Sequence, residues 1–245
     1  MNWKILLITD SRGRGLLTYI KEELSHLDYT LDEKIIKGAT LDDIWKRLER
    51  TSRRTTWDVA IVVAGICNFT ELQTNRKRQR YLQYTSRKSE STRQVIDSLF
   101  EAFGPKVHIC TIPPASIKLA SKCREDDPSI EDEQQKLIQD IEETNRHIIN
   151  CNINRNFATI DLARQTYSSS VKGKNKKKLL KFTGKGLNDG VHPNADSKIH
   201  WAKYMAKVIP KIVARIYDQL PTTDSGESDS ERESWDHKRL KHQQD

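Results

Sequence analysis

The sequence lacks any long hydrophobic run. Residues 1–4 lead into an apolar run of only four residues, Ile5–Ile8, which is too short for the apolar region of a signal peptide. No stretch approaches the roughly 20 apolar residues that a membrane-spanning helix needs. The sequence therefore predicts an intracellular protein of the cytoplasm or the nucleus.

Cysteine is scarce, and its spacing suits neither a metal site nor a disulfide framework. The four cysteines, Cys67, Cys110, Cys123 and Cys151, lie far apart, and none belongs to a CxxC pair or another spacing typical of zinc. The sequence therefore predicts a reduced protein that uses neither a metal nor a cofactor.

Charge is abundant and unevenly distributed. Charged residues make up 31% of the 245 residues and hydrophobic residues 36%, which is polar for a globular chain. The net charge is +8; residues 218–245, with eight acids and four bases, carry −4, so residues 1–217 carry +12. A basic body favours polyanionic partners such as nucleic acid, although a basic surface without any partner fits equally well.

The chain divides into one expected domain and a tail. A fold of this length can bury one sizeable core, which we assign to residues 1–219. Residues 220–245 are acidic, rich in serine and without apolar periodicity, so the sequence predicts a disordered and dispensable tail there.

Short apolar runs alternate with helical patterns along residues 1–219. Their spacing predicts five buried strands, at 4–9, 33–37, 59–64, 107–112 and 157–162. Helices are expected between them, and the polar segment 74–91 is expected to be a loop or an exposed helix. This alternation predicts an α/β fold with a five-stranded parallel sheet covered on both faces, in which ligands bind at the carboxyl ends of the strands.

Three polar residues are placed for nucleophilic chemistry. Ser11 follows the first strand in a turn that leads into a helix, whose N–H groups would face developing negative charge. Asp189 and His192 are three residues apart and can meet across one turn, so Asp189 can orient His192 to accept a serine proton. Each piece alone is more often a helix cap or a local turn. Together, at these strand ends, they predict a serine-hydrolase site.

The order of these motifs resembles the SGNH, or GDSL, hydrolase family. Thr9-Asp10-Ser11 resembles the first block of the family, with Thr9 in place of the usual glycine, and Gly38 matches the second block. The segment Asp189-Gly190-Val191-His192-Pro193 closely matches the last block. The resemblance covers roughly residues 3–217, about one domain.

The resemblance implies a three-layer α/β/α fold with flavodoxin-like topology and an esterase that acts on an acyl ester. It makes Ser11 the nucleophile, His192 the base and Asp189 the partner of that base. It also implies that the backbone N–H groups of Ser11 and Gly38 form an oxyanion hole.

The third block departs from the family pattern Gly-x-Asn-Asp, in which the asparagine donates a hydrogen bond to the oxyanion. This chain has Gly65-Ile66-Cys67-Asn68, so Cys67 stands at the donor position and Asn68 at the aspartate position. A thiol is a weak donor, and losing one oxyanion donor costs roughly a hundredfold in rate. The sequence thus predicts a hydrolase weakened at Cys67, with Asn68 as its neighbour in the oxyanion hole.

Three basic segments indicate an alternative function. They flank Ser11, follow the third strand and precede the Asp189 block, and they could meet on one rim to bind a phosphate backbone. Some SGNH-like domains, including those of the Oskar type, bind RNA without catalysis, and others occur in mobile-element proteins. The alternative is thus a non-catalytic module for RNA or another polyanion. The candidate residues are Arg12, Arg14, Arg76, Lys77, Arg78, Lys174, Lys176, Lys177 and Lys178.

Overall fold

A computed structural model of the chain describes residues 2–53, 56–85, 89–172 and 177–219, and the predicted tail lies outside them. The strands are β1 (Trp3–Thr9), β2 (Tyr29–Ile35), β3 (Val59–Val63), β4 (Thr70–Thr74), β5 (Arg80–Tyr84), β6 (Val107–Ile109), β7 (Tyr167–Lys172) and β8 (Lys177–Phe182). The helices are α1 (Leu16–Glu23), α2 (Leu41–Ser52), α3 (Ser89–Phe103), α4 (Ile117–Ala120), α5 (Ser129–Asn154), α6 (Leu162–Gln165) and α7 (Ala195–Gln219).

The main sheet has four strands in the order β2-β1-β3-β6, and every neighbouring pair is parallel. Thr9 at the end of β1 pairs with Ile35 on one side and Val63 on the other. The carboxyl ends of these three strands therefore lie at one edge of the sheet. This arrangement confirms the predicted α/β fold with a parallel sheet.

Alternate residues of the central strands enter two separate cores. Leu6 and Ile8 pack with α2, α3 and α5, whereas Ile5 and Leu7 pack with α1 and α7. All five residues of β3 are buried, as expected for a strand inside a parallel sheet. Helices consequently cover both faces of the sheet.

Local sequence signals explain where α2 begins. Thr40 accepts a hydrogen bond from the backbone N–H of Asp43, and the Asp43 carboxylate accepts one from the backbone N–H of Thr40. This reciprocal capping box satisfies two backbone donors that the first helical turn leaves unpaired.

The prediction of a fifth strand at 157–162 is wrong. Residues 157–160 have no regular secondary structure, and Leu162 begins α6. Phe157 and Ile160 are nevertheless buried, and the Ile160 carbonyl accepts the N–H of Thr111 at 3.0 Å. The apolar pattern identified a core segment correctly, but burial alone does not require the ladder of backbone hydrogen bonds that defines a strand.

The prediction of a loop or exposed helix for 74–91 is only partly right. Residues 75–79 are a loop and α3 begins at Ser89, but β4 and β5 form an antiparallel hairpin that was not predicted. Asn75 organises the loop of the hairpin: its side-chain oxygen accepts the backbone N–H groups of Lys77 and Gln79 at 3.0 and 2.9 Å. Such side-chain turns are a known property of asparagine. Abundant charged side chains in this segment obscured the hairpin pattern.

None of the four cysteines forms a disulfide. Cys110 is fully buried, and burial raises the pKa of its thiol. Among the described residues, no helix combines the length and apolar character that crossing a membrane requires.

Candidate active site

The candidate site lies at the carboxyl edge of the sheet. Ser11 follows the end of β1, Gly38 follows β2, and Cys67 and Asn68 follow β3. Because Thr9, Ile35 and Val63 are in register, the three segments leave the sheet side by side. The topology therefore brings the first three predicted motifs to one edge.

Ser11 begins a short 3-10 turn that ends at Gly13, and α1 begins only at Leu16. Asp10 initiates this turn, because its carboxylate accepts the backbone N–H of Arg12 at 2.8 Å. The turn expected between the first strand and the helix is thus a short 3-10 turn, separated from α1 by two residues. Aspartate is well suited to this position, since its short side chain reaches the backbone two residues ahead.

Thr9 and Gly13, which stand on either side of Ser11 in the chain, interlock. The side chain of Thr9 is fully buried, and a Cβ atom on Gly13 would lie only 2.5 Å from the Cβ and Cγ2 atoms of Thr9. Real Cβ atoms do not approach this closely. A glycine is therefore needed at position 13 as long as a threonine occupies position 9.

His192 connects Ser11 to Asp189. Its Nε2 atom lies 2.9 Å from the hydroxyl oxygen of Ser11, although 181 residues separate the two in sequence. Its Nδ1 atom lies 2.7 Å from Oδ2 of Asp189. We call these three residues the Ser11 cluster. Each ring nitrogen of His192 has its own partner, so the imidazole can pass a proton on one side while it is held on the other.

The loop around Asp189 fixes this arrangement. Oδ1 of Asp189 accepts the backbone N–H groups of Val191 and His192 at 3.0 and 2.8 Å. Gly190 has a φ of 83° and its carbonyl accepts the N–H of Ser116 at 2.6 Å; a Cβ atom there would lie 2.5 Å from the Ser116 carbonyl oxygen. Only glycine fits this close approach between the loop and α4.

The hydrogen bonds also favour the ionised form of Asp189. Desolvation alone would raise the pKa of Asp189, but hydrogen bonds from the backbone and ring of His192 and from Val191 outweigh it and lower that pKa. The carboxylate is therefore ionised at neutral pH and can stabilise a protonated His192. The side chains of Asp189 and His192 are 57% and 39% exposed, so the Ser11 cluster is open to solvent.

Arg12 does not belong to a polyanion-binding surface, and its assignment to one is wrong. Its side chain is only 3% exposed, and its guanidinium donates to the carbonyl oxygens of Pro113 and Pro114 at 2.6 and 3.4 Å. Burial lowers the pKa of Arg12, an effect that the nearby Asp10 carboxylate opposes. Arg12 instead ties the turn at Ser11 to the chain that follows β6.

Asn68 also has a structural contact. It is buried, and its side-chain oxygen accepts the backbone N–H of Leu41 at 2.9 Å, which anchors the first turn of α2. Cys67 is half-buried in the same 3-10 turn and is close enough to Arg12 to affect the pKa of that side chain. Asn68 is thus engaged with α2, and Cys67 is the member of the third block that lies near Arg12, the neighbour of Ser11.

Gly38 lies in the exposed turn after β2 with a φ of 67°. That left-handed conformation favours glycine. Its predicted role as an oxyanion donor stays a prediction.

The remaining basic candidates fall into two groups. Arg14 and the hairpin residues Arg76, Lys77 and Arg78 are exposed. Lys177 and Lys178 lie in β8, which pairs with β7, but their side chains lie outside the described part. Lys174 and Lys176 lie outside it entirely. The predicted convergence of three basic segments on one rim stays a prediction.

Sequence reasoning missed the supports of the site: the carbonyl oxygens of Pro113 and Pro114, the contact between Gly190 and Ser116, and the interlock of Thr9 with Gly13. The double proline Pro113-Pro114 indicates in the sequence where the strand β6 must end, but nothing in the sequence indicates that its carbonyl oxygens contact Arg12. These contacts depend on residues that are about 70 to 100 positions apart, except for Thr9 and Gly13.

A scan of the sequence against protein-family models gives no match, and neither does a search of the curated proteins. Solved structures do match. A lipase/acylhydrolase from Enterococcus faecalis has a TM-score of 0.59 at 18% identity, covering 84% of this chain and 95% of that one. A GDSL-like lipase from Bacteroides thetaiotaomicron has a TM-score of 0.55 at 14% identity, covering 87% and 88%.

An acetylxylan esterase from Geobacillus stearothermophilus is similar to the same degree, with a TM-score of 0.56, 17% identity and coverage of 84% of this chain and 94% of that one. At such low identity the likeness is one of fold. The chain therefore has an SGNH/GDSL hydrolase-like fold over most of its length.

Proposed function

We propose that this protein is a serine esterase that hydrolyses acyl esters through Ser11, His192 and Asp189. The observation that carries the proposal is the continuous contact from the Ser11 hydroxyl through both nitrogens of His192 to the Asp189 carboxylate. The same three residue types in this order form the charge-stabilised nucleophile of serine hydrolases on several unrelated folds.

In the first half of the reaction, the Ser11 oxygen attacks the ester carbonyl while Nε2 of His192 takes the hydroxyl proton. The resulting tetrahedral intermediate carries its negative charge on the former carbonyl oxygen. His192 then gives the proton to the alcohol oxygen, the bond between carbon and alcohol breaks, and the acyl group remains on Ser11. Asp189 accepts the Nδ1–H throughout and stabilises the imidazolium.

In the second half, water takes the place of the alcohol. Nε2 of His192 removes a proton from water as the water oxygen attacks the acyl carbon. The second tetrahedral intermediate collapses, the bond to the Ser11 oxygen breaks, and His192 returns the proton to Ser11. The products are a carboxylic acid and an alcohol, and the protein needs no cofactor for either half.

The oxyanion in both intermediates needs hydrogen-bond donors. We assign this role to the backbone N–H groups of Ser11 and Gly38, which follow neighbouring parallel strands. The third donor position holds Cys67, whose thiol is a weaker donor than an amide. We therefore expect a working but slow esterase.

The Ser11 cluster is open to solvent, which supports ester substrates with small acyl groups on accessible alcohol oxygens. Acetylated sugars, lipids and short acyl esters belong to this class. The structural neighbours named above support the same substrate class, since they include an acylhydrolase and an acetylxylan esterase.

The test is hydrolysis of p-nitrophenyl acetate by the wild-type protein and by Ser11→Ala. We expect the substitution to lower kcat/KM by at least about a thousandfold, because it removes the nucleophile. Ser25→Ala is the matched control, since Ser25 is exposed at the far end of α1. A fluorophosphonate should label wild type once, on the peptide that contains Ser11. Undiminished turnover by a folded Ser11→Ala protein would remove Ser11 from the mechanism.

Polyanion binding remains the alternative, and the exposed tip of the β4–β5 hairpin, with Arg76, Lys77 and Arg78, is the observation that favours it. Labelled single-stranded RNA titrated across a salt series distinguishes the two functions. Tight, salt-sensitive binding that is lost on neutralising the hairpin tip, together with no ester turnover, would support the binding module.

A further inference from the structure

A second cluster of reactive side chains lies between α3 and α5, outside the site described above. It consists of Asp97, His147 and Cys151, which we call the Cys151 cluster. Oδ1 of Asp97 lies 2.7 Å from Nε2 of His147, and Sγ of Cys151 lies 3.6 Å from each of these two atoms. Three different donor atoms therefore converge on one point.

The packing of α3 beside α5 creates this convergence. His147 and Cys151 are four residues apart on α5, which places them on one face of the helix. The two helices run in parallel, because Arg93 pairs with Glu143, Asp97 with His147, and Gly104 with Arg155. These flanking contacts hold the carboxylate of α3 opposite the imidazole and thiol of α5.

The spacing of the three donors suits a tetrahedral cation. With zinc bonds of about 2.0 Å to nitrogen or oxygen and about 2.3 Å to sulfur, neighbouring ligand atoms lie about 3.5 Å apart when one is sulfur and about 3.3 Å otherwise. Both sulfur distances here are 3.6 Å. Only the contact between Asp97 and His147 would need to lengthen, by roughly half an ångström.

We propose that Asp97, His147 and Cys151 form a Zn²⁺ site that clamps α3 to α5. Imidazole, thiolate and carboxylate are the three side-chain ligands that zinc uses in proteins. The Asp97 side chain is 55% exposed and that of His147 is 28% exposed, so water can reach the fourth coordination position.

The zinc site is separate from the Ser11 cluster. Arg155, one turn beyond Cys151, donates to the carbonyl oxygens of Gly104 and Val107, and Val107 is the first residue of β6. This end of α5 therefore lies toward the amino edge of the parallel sheet, whereas Ser11 lies at the carboxyl edge. The proposal consequently does not depend on the esterase function.

The charges around the cluster also suit a cation. The Asp97 carboxylate lies next to both the thiol of Cys151 and the imidazole of His147. Zinc would displace the thiol proton and place its positive charge between the carboxylate and the thiolate. Arg155, the nearby cation, directs its guanidinium to backbone carbonyls and to the ring of Phe100 instead.

The test is titration of the reduced full-length protein with Zn²⁺ and, as a spectroscopic probe, with Co²⁺. We expect one metal per chain, a thiolate-to-cobalt absorption band in the near ultraviolet, and a thermal midpoint about 5 °C higher at a hundredfold excess of Zn²⁺ over its Kd. Cys151→Ser should abolish the cobalt band and weaken zinc binding at least about a hundredfold. Cys123→Ser is the matched control and should leave both unchanged.

Asp97→Asn provides a second variant that keeps the size of the side chain at a solvent-exposed position. It should weaken zinc binding and keep the thiolate band at saturating cobalt. The proposal is overturned if wild type shows no cobalt–thiolate band, or if Cys151→Ser binds zinc as tightly as wild type. The second result would assign the metal to other groups of the chain, such as surface histidines.

Discussion

The Ser11 cluster and the Cys151 cluster contain the same three kinds of group: a histidine, an aspartate and a side chain that can act as a nucleophile. They differ in how the imidazole is connected. His192 uses Nδ1 for Asp189 and Nε2 for Ser11. His147 presents the single atom Nε2 to both Asp97 and Cys151. The first arrangement forms a chain of contacts and the second forms a triangle.

The difference determines what each cluster can do. A proton relay needs two separate nitrogen atoms, because one must exchange the proton while the other is held in a fixed tautomer. A metal site needs donor atoms that share one centre. Residue composition alone therefore does not distinguish the two clusters, whereas the identity of the contacting ring atoms does.

The supporting structure differs as well. The Ser11 cluster stands on a turn and a loop at the carboxyl edge of the sheet, held by glycine at positions 13 and 190. The Cys151 cluster stands on two packed helices, where an i, i+4 pair supplies two of its three members. The first cluster is positioned by backbone turns and the second by helix packing.

After removal of Ser11 itself, the largest expected effect comes from breaking the chain of contacts at Asp189. Asp189→Asn should lower kcat/KM for p-nitrophenyl acetate by about a thousandfold to ten-thousandfold, because an amide at this position favours the wrong tautomer of His192. Circular dichroism checks the fold, and Asp42→Asn on the exposed surface of α2 is the matched control. The cobalt band of the Cys151 cluster should persist in Asp189→Asn. Its loss would mean that the two clusters are coupled.

A smaller effect is expected at Cys67, the thiol that accompanies the Ser11 cluster. Cys67→Asn should raise the turnover of short acyl esters about tenfold to a hundredfold, because an amide is a better oxyanion donor than a thiol. RNA binding, measured in parallel, should hardly change. A fall in turnover beside tight, salt-sensitive RNA binding would remove the main support for the hydrolase and favour the binding module.

The smallest effect concerns His108, a buried histidine that has no carboxylate partner among its described contacts. Its Nε2 atom lies 2.8 Å from the Pro105 carbonyl oxygen, and burial, together with the charge of Arg155, lowers its pKa to about 3. The unfolded chain takes up this proton near pH 6.5, whereas the folded chain does so only near pH 3. The free energy of unfolding should therefore decrease as the pH is lowered from about 6.5 to about 3.

For His108 alone, the expected loss from pH 7 to pH 5 is about 2 kcal/mol. Denaturant unfolding at a series of pH values measures it, and His108→Gln should flatten this part of the profile. An unchanged slope in His108→Gln would show that other groups cause the acid sensitivity.

Much of the Ser11 cluster could be predicted from the sequence, because each member sits beside a recognisable signal. Ser11 follows an apolar run, and Asp189 and His192 share a five-residue motif that ends in Pro193. The burial of Arg12 could not be predicted, since a guanidinium beside a serine looks like a surface charge until the carbonyl oxygens after β6 are in place.

The Cys151 cluster was missed for a different reason. Spacing rules for zinc search mainly for cysteine pairs, and the nearest signal here is only His147 and Cys151 at helical spacing. Asp97 joins them through the register of α3 against α5, which involves side-chain packing over 50 residues of chain. The prediction of a fifth strand failed for a similar reason. The apolar pattern predicts that a segment is buried, but it does not predict which backbone groups form hydrogen bonds with another strand.

The interlock of Thr9 with Gly13 has a consequence for how this protein can change over evolutionary time. A side chain at position 13 has no room while threonine remains at position 9. If position 9 is first replaced by glycine, the space opens and position 13 becomes free to vary. The two substitutions are thus accessible in one order only, so the turn at Ser11 restricts the order in which its residues can be replaced.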